Sequence, residues 1–483
     1  MKIEELVAKI NCETINIAKH YDINSLCLKH DECKRGSLFF CIKGNNTDGH
    51  LFARQAIELG AVAVVCERKL QSDIPQIVVK NVRKAFSLAC KQFYGEPNKK
   101  LITIGVVGTN GKTTVCESIA EILNGAGIPC GKIGTLGAVI GDENYQTNFT
   151  TPDTNKLYQL IDLMVKKGMK AVCIELSAHA IFYNKADFKF DLMIFTNCTQ
   201  DHLDFFANFE QYRNTKAKAF LAKNCKIAVV NVDDALGLQI SATRKNGLIT
   251  YGIENPADVF AINISERACG VNFVINLFDA LYEVNSNRLG LFNVYNLLAC
   301  ATACALCGVK TQYIAEKIQN LCMVKGRMER IFNKINIFID YAHTPDGLKN
   351  ALETLKRIKG ENSLICVFGC GGNRDREKRP IMGKISGKLA DFTIITSDNP
   401  RFEEAEEIIK QIEHGIREVT YDYITVADRE RAIEYAINRA KIGDYVLIAG
   451  KGAEEYQECM GITRHFSDRE VAYTYLVNKY DEL

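Results

Sequence analysis

The sequence predicts an α/β protein of three domains: a small α/β N-terminal domain (1–98), a central, mostly parallel-sheet domain (99–326) and a Rossmann-like, doubly wound C-terminal domain (327–483). Three observations carry that expectation. Short apolar, β-branched runs alternate with helical segments along the chain, as parallel sheets covered by helices require. A length of 483 residues suits about three domains, each with its own core. The polar stretch GEPNKK (95–100) reads as a linker, and a new unit opens at KGRMER (325–330).

Bulk composition excludes several classes. Hydrophobic residues make up 47% and charged residues 24%, which is ordinary for a globular protein. A net charge of +2 offers no electrostatic case for nucleic acid as a partner. No apolar run approaches a membrane span, and the acid-bearing first residues lack a signal-peptide layout, so a cytoplasmic protein is expected. The 19 cysteines are scattered in apolar company. Cys300, Cys304 and Cys307 are spaced as one stripe of a buried helix, which points to core packing in a reducing compartment rather than zinc.

In chain order, the first domain shows GSLFFCIKG (36–44), a helical LFARQAIELG (51–60), AVAVVCE (61–67) and PQIVVKN (75–81). The polar KGNNTDGHLF (43–52) between them reads as a surface loop. The central domain opens on LITIGVVGTNGKTT (101–114), a buried-strand run that breaks at Gly108 and passes through Gly111-Lys112-Thr113-Thr114 into a helix. Such a turn is a phosphate cradle. Backbone N–H groups over Gly108, Thr109, Asn110 and Gly111 and the helix N-terminus face an anion, Lys112 adds a charge, and a threonine hydroxyl, Thr113 or Thr114, can hold Mg²⁺. The glycine usual five residues before Gly111 is here Val106, flanked by Gly105 and Gly108. ATP or a similar nucleotide is the expected ligand.

AVCIEL (171–176), DLMIFTN (191–197) and IAVVN (227–231) read as further parallel strands. Glu175 closes the first, and TQDHLDFF, with Asp201, His202 and Asp204, follows the second. Ligands of open α/β sheets sit beyond the carboxyl ends of strands, so a carboxylate and a histidine there suit Mg²⁺; without the neighbouring glycine turn they would read as a cap partner and a satisfied polar residue. The third domain shows INIFIDYAHTPDG (335–347), LICVFGCGGNRD (364–375), FTIITSDNPR (392–401) and DYVLIAGKGAEE (444–455), each a strand ending in a glycine- or charge-bearing loop. GCGG is not the GxGxxG fingerprint, so a dinucleotide is not expected.

Taken together, GTNGKTT, ELSAHA, TNCTQDHLDFF, LFNVYN, KGRMER, DYAHTPDG and DNPR resemble the Mur ligase family along nearly the full chain. The resemblance implies ATP-dependent formation of an amide. A substrate carboxylate is phosphorylated to an acyl phosphate, and an incoming amine displaces phosphate, with Mg²⁺ neutralising the triphosphate. Among family members it is most similar to those adding the third amino acid of the peptidoglycan precursor. The implied partners are a UDP-muramoyl dipeptide, meso-diaminopimelate and ATP, with the chain acting as a monomer. Thr113 and Glu175 are implied at one Mg²⁺, and His202 with a CO₂-derived carbamate on Lys216 at a second. By their residues alone, Lys216 and Lys218 are both solvated helix lysines. Asn296, Arg327 and Asp340 match family ATP contacts, and Thr150, Thr151, Ser177 and Lys185 fall on positions that bind the UDP-substrate. Arg374, Asp398, Asn399, Pro400, Arg401, Gly450 and Glu454 match the diaminopimelate site. Arginine at 401 argues for a substrate with a second carboxylate over L-lysine; capping of the following EEAEE by charge is the alternative, but it explains neither the Asp-Asn-Pro before it nor its place at a strand's carboxyl end. The alternatives are a lysine-adding relative, a folylpolyglutamate synthase, a phosphotransferase needing no amine, and an inactive nucleotide-binding module. Lys29-His30-Asp31, Tyr183, Lys185 and Ala453 depart from the family pattern.

Overall fold

Apolar β-branched runs bounded by glycine turns form the strands, and the computed structural model describes them within residues 1–17, 21–44, 47–71, 73–332 and 334–480. The chain forms two compact units. One comprises Met1–Thr103, Pro129–Val172 and His179–Lys189; the other comprises Ile104–Ile128, Cys173–Ala178 and the chain from Phe190 onward.

In the first unit a five-stranded sheet has the order Cys12–Ile15, Gln76–Val79, Ala61–Cys66, Ser37–Phe40 and Ser25–Cys27. Its pairs are parallel except the edge strand Cys12–Ile15, which runs antiparallel to Gln76–Val79. Helix Val82–Tyr94 covers one face, its Asn81 cap accepting from the Lys84 N–H at 2.8 Å, and its apolar stripe (Val82, Ala85, Phe86, Ala89) packs with Leu38, Phe40 and Val65. Of the expected polar loop at 43–52, Asn45 and Asn46 lie outside the described residues. Asp48 accepts from the N–H and ring Nδ1 of His50, and His50 Nε2 accepts from the Glu67 N–H at 3.0 Å. The antiparallel run Cys130–Gly134, Gly137–Ile140, Glu143–Tyr145 also belongs to this unit.

In the second unit the strand Ile102–Val107, from Ile104 on, lies between Phe190–Phe195, parallel to it, and the strand Ala171–Leu176, from Cys173 on. Beyond Phe190–Phe195 come Cys225–Asn231 and Leu248–Gly252, both parallel. Here the expected alternation of strand and helix stops. Val259–Arg267, Gly270–Leu277 and Ala280–Ser286 form an antiparallel arm, turned at Phe278-Asp279 with both residues at positive φ. Helix Leu291–Leu306 is apolar nearly all round, with Cys300 and Cys304 fully buried and Cys307 partly so, as the helix-stripe reading expects.

A second sheet in this unit has the order Glu329–Phe332, Asn336–Asp340, Tyr445–Ala449, Leu364–Phe368, Phe392–Ile395, Tyr423–Thr425, parallel except at the first strand. Helices on both faces bury it: Leu348, Leu352 and Ile412 on one side, Ile433, Ile437 and Leu476 on the other. The order reverses between the second, third and fourth strands. Asp340, Gly450 and Gly369 therefore emerge side by side at a switch point.

Candidate active site

The cradle is built where the backbone can come close. Gly108 follows Ile102–Val107; a methyl group there would lie 1.8 Å from Thr196 Oγ1, the hydroxyl that donates to the Asn110 carbonyl at 2.6 Å. Gly111, at φ +86°, has Asn296 Oδ1 2.3 Å from where its methyl would be, so Asn296 is pressed against the turn. Asn197, which sequence reasoning did not single out, splints the loop. Its side chain accepts from the Asn110 N–H at 2.9 Å and donates to the Asn110 carbonyl at 3.1 Å, while its carbonyl accepts from the Thr109 N–H at 2.9 Å. Val106, where the general pattern has glycine, is fully buried and pairs with Ile194 inside the sheet; the close approach falls at Gly108 instead.

Lys112, the first residue of helix Lys112–Gly125, donates to the carbonyls of Gly108 (3.0 Å) and Thr109 (2.8 Å), which holds its ammonium within the turn. Thr113 donates to Glu175 Oε2 at 3.0 Å and accepts from Arg327 Nη2 at 3.0 Å. The Arg327 guanidinium also lies 4.2 Å from the Tyr341 ring centroid. Asp340 accepts from the Met328 N–H at 2.6 Å; burial raises its pKa while Arg327 opposes. Thr114 is buried behind the turn.

Thr113 and Glu175 would supply hard, oxygen-only donors of the kind Mg²⁺ requires. Among the described residues no group of three or more His, Cys, Asp or Glu is arranged to hold a metal. Such a sparse donor set fits an ion that keeps waters and takes its other ligands from phosphate.

Lys216 departs from the solvated reading of its residue type. It is 1% exposed, donates to Thr109 Oγ1 at 2.7 Å and lies 4.1 Å from the Tyr212 ring centroid, whereas Lys218 is exposed. Burial, with the Lys112 charge helping, pushes its pKa down to about 7 against Cys198, Asp201 and Asp234. Thr109 ties the two parts together, since its hydroxyl also meets the Thr199 carbonyl and Tyr212 Oη, each at 3.1 Å. His202 stands at left-handed φ (+57°), with Nε2 3.4 Å from Asp201 Oδ2. Burial lowers its pKa despite Asp201, which favours the neutral imidazole a metal would need.

A second cluster stands at the switch point. Asn399 donates to Glu454 Oε2 at 3.0 Å and accepts from Lys451 Nζ at 3.1 Å, a lysine with no exposed surface that sequence reasoning passed over in GKGAEE. Asp398 is buried, accepts from the Asn399 N–H at 2.7 Å through Oδ1, and presents Oδ2 without a hydrogen-bond partner. That oxygen is 2.6 Å from where a methyl on Gly450 would be. Burial and the nearby Asp398 raise the Glu454 carboxyl. Pro400 is buried between them and Arg401, which is itself at φ +53°. Arg401 donates to the Gly372 carbonyl at 2.8 Å and pairs with Glu458 at 3.4 Å, so it does not cap EEAEE. A methyl on Gly371 would lie 2.9 Å from Arg401 Nη1 and 3.7 Å from Arg374 Cγ, so both arginines converge on that loop. Arg374 also reaches Asp204 Oδ2 at 3.4 Å.

Of the residues matched to the UDP-substrate, Thr150, Thr151 and Lys185 lie in the first unit and Ser177 in the second. Thr150 bonds Thr135 at 3.1 Å, and Thr151 is buried. Lys185 pairs with Asp153 at 2.7 Å and lies 4.8 Å from the Phe149 ring centroid. At two of the departures, His30 stacks on Phe52 (4.5 Å) and Tyr183 lies under the Arg83 guanidinium (4.5 Å).

A glycine turn with a lysine at a helix start and a charged cluster at a switch point would suit a nucleotide-driven ligase, and the chain belongs to the Mur ligase family. Three family models match it: the Mur ligase family catalytic domain over 23–94, the Mur ligase middle domain over 106–304, and the Mur ligase glutamate ligase domain over 326–452. More particularly, the chain is 40% identical over 482 residues to the UDP-N-acetylmuramoyl-L-alanyl-D-glutamate–2,6-diaminopimelate ligase of Geobacillus thermodenitrificans, covering 98% of each chain. It is 39% identical over 477 residues to the enzyme of the same name from Caldanaerobacter subterraneus, again covering 98% of each. A solved structure of a ligase of that name matches with a TM-score of 0.70 at 30% identity, over 99% of both chains. No helix of the described residues is long and apolar enough to cross a membrane.

Proposed function

We propose that this chain is an ATP-dependent, ADP-forming ligase that joins meso-diaminopimelate to UDP-N-acetylmuramoyl-L-alanyl-D-glutamate through an acyl phosphate, in peptidoglycan precursor synthesis. The observation that carries this reading is the charge order of the switch-point cluster. Arg374, Gly450 and Glu454 hold the amino-acid end of the substrate, and Arg401, closing the loop that Asp398 and Asn399 shape, stands for a further carboxylate. meso-Diaminopimelate supplies that second carboxylate, whereas L-lysine carries an ammonium there and would set a like charge against Arg401.

At the cradle, Lys112, Arg327 and the N–H groups of 108–111 bind and orient the triphosphate, with Asn296 and Asp340 on the nucleotide side. Mg²⁺, held by Thr113 and Glu175 and by His202 with Lys216, would supply neutralisation of the charge that builds as a carboxylate attacks the γ-phosphate. The depressed pKa of Lys216 leaves part of the amine neutral near pH 7, the form that takes up CO₂; the resulting carbamate is an anion like a glutamate. Thr150, Thr151 and Lys185 of the first unit bind the UDP-substrate. The working division is a UDP-sugar domain (1–98), an ATP-binding domain (99–326) and an amino-acid domain (327–483), in a monomer acting in the cytoplasm, which its free cysteines suit.

Phosphate release by the purified chain with ATP, Mg²⁺ and UDP-muramoyl dipeptide tests this, varying only the amine. Release is expected with meso-diaminopimelate and to be much weaker with L-lysine or no amine. Amine-independent release would make the chain a phosphotransferase, and equal kcat/KM for the two amino acids would refute the assigned substrate.

A further inference from the structure

Arg379 lies in the first turn of helix Lys378–Leu389 with no exposed surface, and it cannot touch a substrate. Its fork grips Glu403 with both Nη atoms (2.9 and 3.0 Å), and adds Gln411 at 2.9 Å and the Gly371 carbonyl at 3.3 Å. Glu403 in turn accepts from the Asn373 N–H at 2.5 Å and pairs with Arg376 at 3.2 Å. One pair, its arginine fully buried, therefore ends on two loops, the one carrying Arg374 and the one carrying Arg401.

Between those loops further bonds run in register. Asn373 Oδ1 accepts from the Phe402 N–H at 3.0 Å, the Gly372 N–H donates to the Asn399 carbonyl at 2.9 Å, and Arg401 reaches the Gly372 carbonyl. Asn373 and Arg401 both stand at φ +53°, which an asparagine tolerates but an arginine adopts only when its surroundings hold it there. Helix packing alone would be served as well by an apolar side chain, because desolvating an ion pair offsets most of its attraction. What an apolar residue cannot supply is the simultaneous grip on Gly371 and, through Glu403, on Asn373.

We propose that the Arg379–Glu403 pair positions the amino-acid site, fixing the distance between the loops of Arg374 and Arg401 and hence the fit to the distal carboxylate. This rests on the substrate reading above only for the identity of that carboxylate. Arg379 and Glu403 are positioning residues, acting through the two loops. The Glu403 carboxyl, held down to about 2 chiefly by the Arg379 hydrogen bonds, stays charged throughout the working pH range.

Two variants of the full chain test it. Glu403→Gln keeps the shape and loses the charge, and Arg379→Lys keeps the charge and loses the fork. The KM for the amino acid is expected to rise about ten- to 100-fold in both, as displaced supports do, with the KM values for ATP and UDP-dipeptide unchanged. Preference for meso-diaminopimelate over L-lysine should fall in parallel. Hydrogen exchange, which needs no substrate, should quicken at the amides of Gly372, Asn373 and Phe402 and stay slow in the strand Tyr445–Ala449. Local quickening with a raised KM for some other accepted amine would sustain the positioning role and overturn only the substrate reading. Unchanged exchange at the three amides, or equal loosening of the whole sheet with all KM values shifted together, would overturn the proposal.

Discussion

Replacing Lys216 with methionine should inactivate the enzyme and stabilise its fold. The amine is buried, and its pKa falls from 10.5 to about 7, chiefly through lost solvation. That difference is worth roughly 5 kcal/mol at about 1.4 kcal/mol per pH unit. The sign follows from proton binding. Below about pH 7 folded and unfolded chains both carry the proton, and the whole cost of burying it is present. Between about 7 and 10.5 the unfolded chain binds the extra proton, so stability climbs with pH. Above 10.5 neither form is charged and the cost is gone. Lys216→Met keeps the stem and loses the hydrogen bond to Thr109 Oγ1, worth about 1–2 kcal/mol. Thr109 keeps its contacts to Thr199 and Tyr212, so no buried hydroxyl is stranded. Near neutral pH the variant should therefore be more stable by about 3 kcal/mol, a gain that shrinks as pH rises. Urea unfolding from pH 6.5 to 9.5 in CO₂-free buffer measures both curves. Parallel curves for wild type and variant, or a variant that keeps turning over, would refute the reasoning.

Lys112→Ala should abolish turnover while changing unfolding free energy by less than about 1 kcal/mol, because its bonds are to carbonyls of its own turn; near-wild-type phosphate release would show that the turn is no cradle. Gly111→Ala forces a side chain into φ +86° against Asn296 and should cost about 1–3 kcal/mol and sharply weaken nucleotide binding, measured by calorimetry. Arg401→Ala should remove most of a preference for meso-diaminopimelate over L-lysine expected near 10⁴-fold, read as the ratio of kcat/KM values. Lys218→Ala, two residues from Lys216 on the exposed face, should leave both stability and turnover near wild type.

What could be read from the chain was whatever local chemistry determines. The turn at 108–114 announces itself because strand, glycines and helix start are adjacent in sequence, and the strand ends at Asp340, Ile395 and Ala449 follow from apolar runs meeting glycine or charge. The antiparallel arm was not legible, since its turn is Phe278-Asp279 rather than the Asn-Gly that signals two residues at positive φ. Lys216 was legible only by family resemblance. Helix Phe209–Lys218 is polar, and what buries its lysine is Thr109, 107 residues earlier. The same holds for Arg401, whose nearest charges in sequence are the EEAEE acids while its partners are Gly372 and Glu458. Arg379 makes the limit plainest. In KRP it reads as another surface cation at a helix start, yet it has no exposed surface, because Glu403 and Gln411 arrive from a loop and a helix whose positions depend on the sheet between them. A charge is placed by the partner that compensates it, and where that partner is remote in sequence only the fold brings it into view.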